Sequence, residues 1–266
     1  MANNLDWLNA SPTLFVQSQG ESCEKFFANF FKNRRHFVLR VTGGCGNMTP
    51  EYYPGIERLT EALAGDENSP RFKGFCLFGG TRMIRKDDPT QVVQGITEAL
   101  PPLKDRNPDA AVLGVVVKAG AMRNTAHGLV VAAGEKDPYV TIIHPGQHST
   151  LLLQPSADKP NQEKEVDWNA EWLRCLEICE AQAANHWDGL LVVYNGGGIT
   201  ANELNAWAEL GLTKPFYRVL LVKGSGGRAD EYARNEVFLA AHPNVHVCDN
   251  TVESMRAKLS ELGAIV

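Results

Sequence analysis

The chain has 266 residues, 44% of them hydrophobic, and a formal net charge of −5. That length can bury a large core, and α/β chains of this size often form one domain. The negative balance argues against sequence-independent binding to nucleic acid, which needs clustered Lys and Arg to displace counterions. No stretch approaches the roughly 18 apolar residues of a membrane span, and the amino-terminal MANNLDWLNASPTLF lacks a basic segment followed by an apolar one, so a cytoplasmic protein without a membrane partner is expected.

Residues 1–35 read as a helical extension in which ESCEKFFANFFKN packs Phe26, Phe27, Phe30 and Phe31 on the body of the protein. HFVLRVTGG (36–44) is an apolar run between charges and glycines, as a buried parallel strand should be. PEYYPGIERLTEALAG follows as a helix with Ile56, Leu59 and Leu63 at helical spacing and Gly65 as its stop. GFCLFGG (74–80) is the second strand. TQVVQGITEAL then predicts a helix with Val92, Val93, Ile96 and Leu100 on one stripe, and AAVLGVVVKAG a third strand. Residues 128–160 hold short β-rich runs without a helix, a β-rich insertion or antiparallel edge, ending in a polar loop over 155–167.

Residues 168–184 place Trp172, Leu176, Cys179 and Ala183 on one helical face. Strand WDGLLVVYNGGG, helix ANELNAWAELG, strand PFYRVLLVKGSGG, short strand NVHVCDN and helix VESMRAKLSELG complete the chain. Strands alternating with helices imply right-handed crossovers: a Rossmann-like, doubly wound, mainly parallel sheet over residues 1–266, with a small β-rich insertion. The six cysteines, several within apolar runs, read as buried thiols in a reducing compartment. Cys175 and Cys179 share a helical face but have no histidine at a ligand-like spacing, so neither metal nor cofactor is expected.

The chemistry should lie where apolar strands run into glycines: Gly43, Gly44 and Gly46; Gly79 and Gly80, followed by Thr81; Gly196, Gly197 and Gly198; and Gly224, Ser225, Gly226 and Gly227. In open α/β sheets the ligand crevice lies beyond the carboxyl ends of the strands. Glycines there let backbone N–H groups approach an anion, and a following helix N-terminus adds partial positive charge. A plain tight turn explains any single pair; four on one edge favour a phosphate cradle. No loop reads GxxxxGK[ST], and none gives GxGxxG with an acidic partner about twenty residues on, which weakens ATP hydrolysis and ordinary NAD chemistry. In NGGGITANE, Thr200 can cap a helix and donate to a phosphate. Glu203 either closes a capping box with Thr200 or serves a ribose or an oxocarbenium-like transition state. Arg228 suits a diphosphate, or pairs with Asp230 or Glu231. His144 and His148 read as turn or ligand-contact residues, and Lys118 as a strand-end charge.

NGGGITANE resembles the PGGxGTxxE signature of the LONELY GUY and lysine-decarboxylase-like proteins, within the wider SLOG superfamily of Rossmannoid folds. FGGTRMI followed by AAVLGVVV matches that family's preceding glycine loop and strand, so the likeness spans roughly residues 36–260. VTIIHPGQHSTLLLQ and VLLVKGSGGRADEYA are similar to segments of the SLOG domain of melastatin-type TRP channels and its prokaryotic relatives. The resemblance implies a sensor of ADP-ribose or a related nucleotide-derived ligand, acting through a homodimer or a separate effector protein. The alternative is a LONELY GUY-type phosphoribohydrolase cleaving the N-glycosidic bond of a nucleoside monophosphate, with Glu203 and a helix arginine, Arg174, as its catalytic pair. Asn195 replaces the proline of the signature and Ile199 its second-turn glycine, which puts cleavage in doubt.

Overall fold

In a computed structural model of the protein, the described residues are 14–18, 20–22, 25–26, 36–44, 48–66, 69–88, 90–93, 95–117, 123–125, 128–132, 138–143, 149–154 and 168–266. In chain order, β1 (Leu14–Val16) and β2 (Phe37–Gly43) precede a 3-10 turn (Pro50–Gly55) and α1 (Arg58–Ala64). β3 (Gly74–Gly79) runs into β4 (Arg82–Arg85), and two single-turn helices, α2 (Ile96–Ala99) and α3 (Leu103–Arg106), lead to β5 (Ala110–Val117). Four more strands follow: β6 (Arg123–Thr125), β7 (Gly128–Ala132), β8 (Tyr139–Ile143) and β9 (Ser149–Leu153). The last third alternates regularly: α4 (Trp168–Ala184), β10 (Asp188–Tyr194), α5 (Gly198–Gly211), β11 (Arg218–Lys223), α6 (Gly227–Ala233), α7 (Glu236–Ala241), β12 (Val245–Asp249) and α8 (Val252–Glu261).

Eight strands form one sheet in the order β1-β9-β5-β3-β2-β10-β11-β12, with every neighbouring pair parallel. This is the Rossmann-like α/β architecture expected from the alternation. Its central strands are apolar almost throughout because helices cover both faces. On one face Leu39, Val41, Leu190 and Val192 pack against Leu59 and Leu63 of α1 and Met255 and Leu259 of α8. On the other, Val38, Leu191 and Val193 pack against Cys175 and Ile178 of α4 and Leu204 and Trp207 of α5. Gly65, at φ +66°, ends α1 as its position suggests. Among the described residues no helix is long and apolar enough to cross a membrane.

Four expectations change. The helix expected over TQVVQGITEAL is confined to one turn: Val92 instead forms an antiparallel bridge with Ile84, and the Val93 N–H donates to the Met83 carbonyl at 2.9 Å. β-branched Val92 and Val93 suit an extended chain, and Gly95 starts the turn from fully extended backbone. Consequently the Gly79–Gly80 loop precedes a strand, not a helix. The β-rich insertion is also divided. β7 and β8 join β4 and β6 in a separate antiparallel sheet of order β4-β8-β7-β6, whereas β9 inserts into the main sheet between β5 and β1. Residues 151–153 are buried on both faces there, so a continuous apolar triplet is required. The amino-terminal region supplies strand β1 as well as Phe26, which packs on the α4–α5 face. The buried stripe of α4 runs through Cys175, Ile178, Cys179 and Gln182, one residue round from the predicted face and sharing Cys179 with it. Phe27, Phe30, Phe31, Gly46, Lys118, His144, His148 and the 155–167 loop lie outside the described residues.

Candidate functional site

The strand order reverses at β2: the chain leaves it for β3 on one side and returns beside it as β10 on the other. Such a switch point opens a crevice beyond the strand ends. A cavity of about 420 Å³ lies there, lined by Thr42, Gly43 and Gly44 at the end of β2, Gly79 and Thr81 at the end of β3, and Gly197, Gly198, Ile199, Thr200 and Glu203 from the turn into α5 and its first two turns. Trp168, Glu171 and Trp172 of α4 close one side. Met83 and Thr141, paired across β4 and β8, bring the small antiparallel sheet into the opposite wall together with Ile96 and Thr97.

The floor is a charge cluster whose position follows from strand period. Val38 faces the α4–α5 layer, so Arg40 and Thr42 face it too. Arg40 is only 3% exposed. Its Nε donates to Glu203 Oε1 at 2.8 Å, and its Nη2 donates to Glu203 Oε2 at 3.3 Å and to Glu171 Oε1 at 2.7 Å. Arg40 Nη1 is buried without a partner. Glu203 is 1% exposed, whereas the Glu171 side chain keeps 26% of its surface. Burial works against the Arg40 charge, but the negative groups around it, Glu203 and Glu171 among them, hold its proton more tightly than usual. Burial, opposed by Arg40 and reinforced by Glu203, raises the Glu171 carboxyl above its ordinary range. Cys175 and Cys76 lie close enough to feel the Arg40 charge, yet burial keeps both thiols protonated, Cys76 being pushed up to about 12. Neither is an activated nucleophile.

The predicted residues separate into two groups. Gly43, Gly44, Gly79, Thr81, Gly197, Gly198, Thr200 and Glu203 share the cavity. The capping box does not form: Gly197 is the N-cap of α5 without any side-chain bond, Thr200 is a buried first-turn residue, and Glu203 belongs to Arg40. The first-turn amides of α5 are therefore uncapped by any side chain. A Cβ on Gly198 would meet open space.

Gly80, Gly196, Gly224, Ser225, Gly226, Arg228 and Arg174 lie outside the cavity wall. A Cβ on Gly80 would come within 2.7 Å of the Gly114 backbone. The NGGG and GSGG loops bind each other. Ser225 Oγ accepts the Asn195 N–H at 2.8 Å, Asn195 Nδ2 donates to the Ser225 carbonyl at 2.9 Å, and the amides of Arg228 and Ala229 donate to the carbonyls of Gly196 and Asn195. Asp230 takes the Gly224 amide. The Gly224 amide and the amide and hydroxyl of Ser225 are already used, and the loop braces the first. Arg228 pairs with Glu231. Arg174 does not meet Glu203; it pairs with Glu177 and donates to Gln17 Oε1 at 3.2 Å, tying α4 to the amino-terminal segment. The arginine beside Glu203 is Arg40. Its sequence mark was a charge inside an otherwise apolar strand; Glu171 and the Met83–Thr141 wall carried no comparable mark.

Among the described residues no cluster of three or more His, Cys, Asp or Glu is placed to hold a metal ion. Fold and site together define a Rossmann-like α/β protein with an aromatic-edged cavity of mixed polar and apolar lining at its topological switch point. No family model and no curated protein matches the sequence. Among solved structures, the molybdenum cofactor carrier protein of Chlamydomonas reinhardtii is similar at 15% identity and a TM-score of 0.44, over 85% of this chain and 98% of that one.

Proposed function

We propose that the cavity binds a nucleotide and that the protein is a cytoplasmic nucleotide-binding sensor module, with ADP-ribose or a related nucleotide-derived compound as the ligand class. The carrying observation is that the uncapped start of α5, two glycine-flanked strand ends and two tryptophans share one cavity of about 420 Å³. Ligand sites for small molecules run to roughly 300–1,000 Å³. Backbone amides at a helix start suit a phosphate, and an indole offers a face to a base. Binding without cleavage is favoured because both oxygens of Glu203 are engaged by Arg40. In this reading a second copy of the chain or a separate effector protein receives the signal, as the resemblance implies.

Hydrolysis of an N-glycosidic bond is the second reading, favoured by one observation: Glu171, with its carboxyl raised, faces the same cavity. A carboxyl whose proton is held more tightly than usual is better suited to act as a general acid. Arg174 has no part in that version. The test is incubation of the purified protein with AMP, NAD, ADP-ribose and cyclic ADP-ribose, followed by chromatography of free, retained and converted nucleotide. Retention unchanged, abolished by Gly198→Leu, is the expected result. Release of free base, abolished by Glu171→Gln, would establish the hydrolase; neither retention nor conversion would remove the nucleotide reading.

A further inference from the structure

The two faces of β8 differ in chemistry. Val140 and Ile142 turn to one side, where they pack with Ile84 and Val92 in a small apolar cluster. Strand period sends Thr141, between them, to the other side. There it lines the cavity together with Met83, its direct partner on β4. Opposite Ile142 and Thr141, β7 carries a bulge between Val130 and Ala132. Bulges gather beside functional sites because they re-aim the side chains around them.

Thr141 is 8% exposed, and among the described residues its hydroxyl has no hydrogen-bond partner. Unlike Arg40 Nη1, its oxygen is not sealed from solvent, so a ligand in the cavity can reach it. A nearly buried hydroxyl without a protein partner keeps its full capacity for a ligand, and a ligand that covered it without bonding it would forfeit that capacity at a cost. Met83 and Ile96 give the same wall apolar surface, and none of its residues carries a charge. A phosphate gains little from such a wall, and a sugar ring offers little apolar area to Met83. A heteroaromatic base matches both parts of it. The ring packs on a thioether, and its edge carries donors and acceptors that a hydroxyl serves in either sense.

Resting on the nucleotide reading, we infer that Thr141 hydrogen-bonds the polar edge of the base, with Met83 against the ring. The small antiparallel sheet then supplies the base-recognising wall and leaves the α5 start to the phosphate.

The test is calorimetric titration of the full chain with AMP, with displacement of bound AMP by ribose 5-phosphate, which lacks the base. Both are repeated on Thr141→Val, which keeps the shape without the hydroxyl, and on Thr141→Ser, which keeps the hydroxyl. AMP should bind Thr141→Val about 2- to 10-fold more weakly, the scale of a neutral hydrogen bond. Ribose 5-phosphate should keep its affinity, and Thr141→Ser should bind AMP much as the unmodified chain does. AMP affinity unchanged in Thr141→Val would overturn the inference and leave the nucleotide reading standing. An equal loss for ribose 5-phosphate, or a loss shared by Thr141→Ser, would overturn it too, because the effect would then not come from a hydroxyl on the base. No binding of AMP to the unmodified chain would remove both readings. Should Thr141→Val not fold, Thr141→Ala removes the same hydroxyl with less bulk and is judged in the same way.

Discussion

Arg40 stands where a strand buried on both faces would ordinarily hold an aliphatic residue, and its burial is tolerable only because two carboxylates meet it from different helices. Removing one partner of such a group leaves the other charge buried and unpaired, which costs about 3–5 kcal/mol. Arg40→Ala should lower the unfolding free energy by that order in urea titration. Arg40→Lys should fall between, since an ammonium cannot fork across Glu203 as guanidinium does. Glu171 gives the site a pH dependence. Its folded-state carboxyl is raised from the ordinary value of 4.5, so the folded chain binds that proton more tightly than the unfolded chain. The resulting stability is fully present below the unfolded value and is lost as pH rises through the folded one. Compared with Glu171→Gln, the unmodified chain should therefore gain in relative stability as pH is lowered from 7 towards 4.5, with no further gain below. Denaturant midpoints at matched pH values check this, and a gap independent of pH would contradict it.

At the scale of elements, the two glycine loops at the ends of β10 and β11 do different work despite similar composition. Asn195, at φ +62°, turns the chain out of β10 and spends its side chain on Gly196 and Ser225. Gly226, at φ +89°, allows α6 to start against it, and a Cβ there would lie 2.6 Å from the Tyr52 ring. Gly226→Ala combines backbone strain with a steric clash, so it should cost at least about 1–3 kcal/mol. Gly198→Ala sits in the first turn of α5 with free space for its Cβ, and should leave stability unchanged or raise it by up to about 1 kcal/mol. Urea midpoints at constant m-value distinguish the two. Both loops were legible as glycine clusters. Their separation into cavity wall and brace was not, because it depends on which amides find acceptors after the strands align.

For the whole molecule, the proposed nucleotide binding would be linked to folding. A nucleotide present at 100 times its Kd should stabilise the protein by about 2.7 kcal/mol. In a chain of this size that is a rise in Tm of several degrees, at roughly 2–4 °C per kcal/mol. Calorimetry with AMP checks it, and the shift should vanish in Gly198→Leu, whose side chain would occupy the cavity beside the α5 start.

Local and periodic features, which need no knowledge of distant neighbours, were enough to establish the alternating apolar strands, the parallel sheet and the glycines at its carboxyl edge. They also placed Glu203 on the helix that follows β10, though that helix starts at Gly198 and Glu203 falls in its second turn. Tertiary structure alone decided that Arg40, not Arg174, partners Glu203: the two residues are 163 positions apart and meet only because β2 and β10 pair at the sheet's centre. It likewise drew Met83 and Thr141 into the wall, through a strand pairing that overrode the helical spacing of residues 90–100. Periodicity records which face a side chain takes, but not what lies across from it; that depends on strand order, and strand order is set by burial summed over the whole sheet.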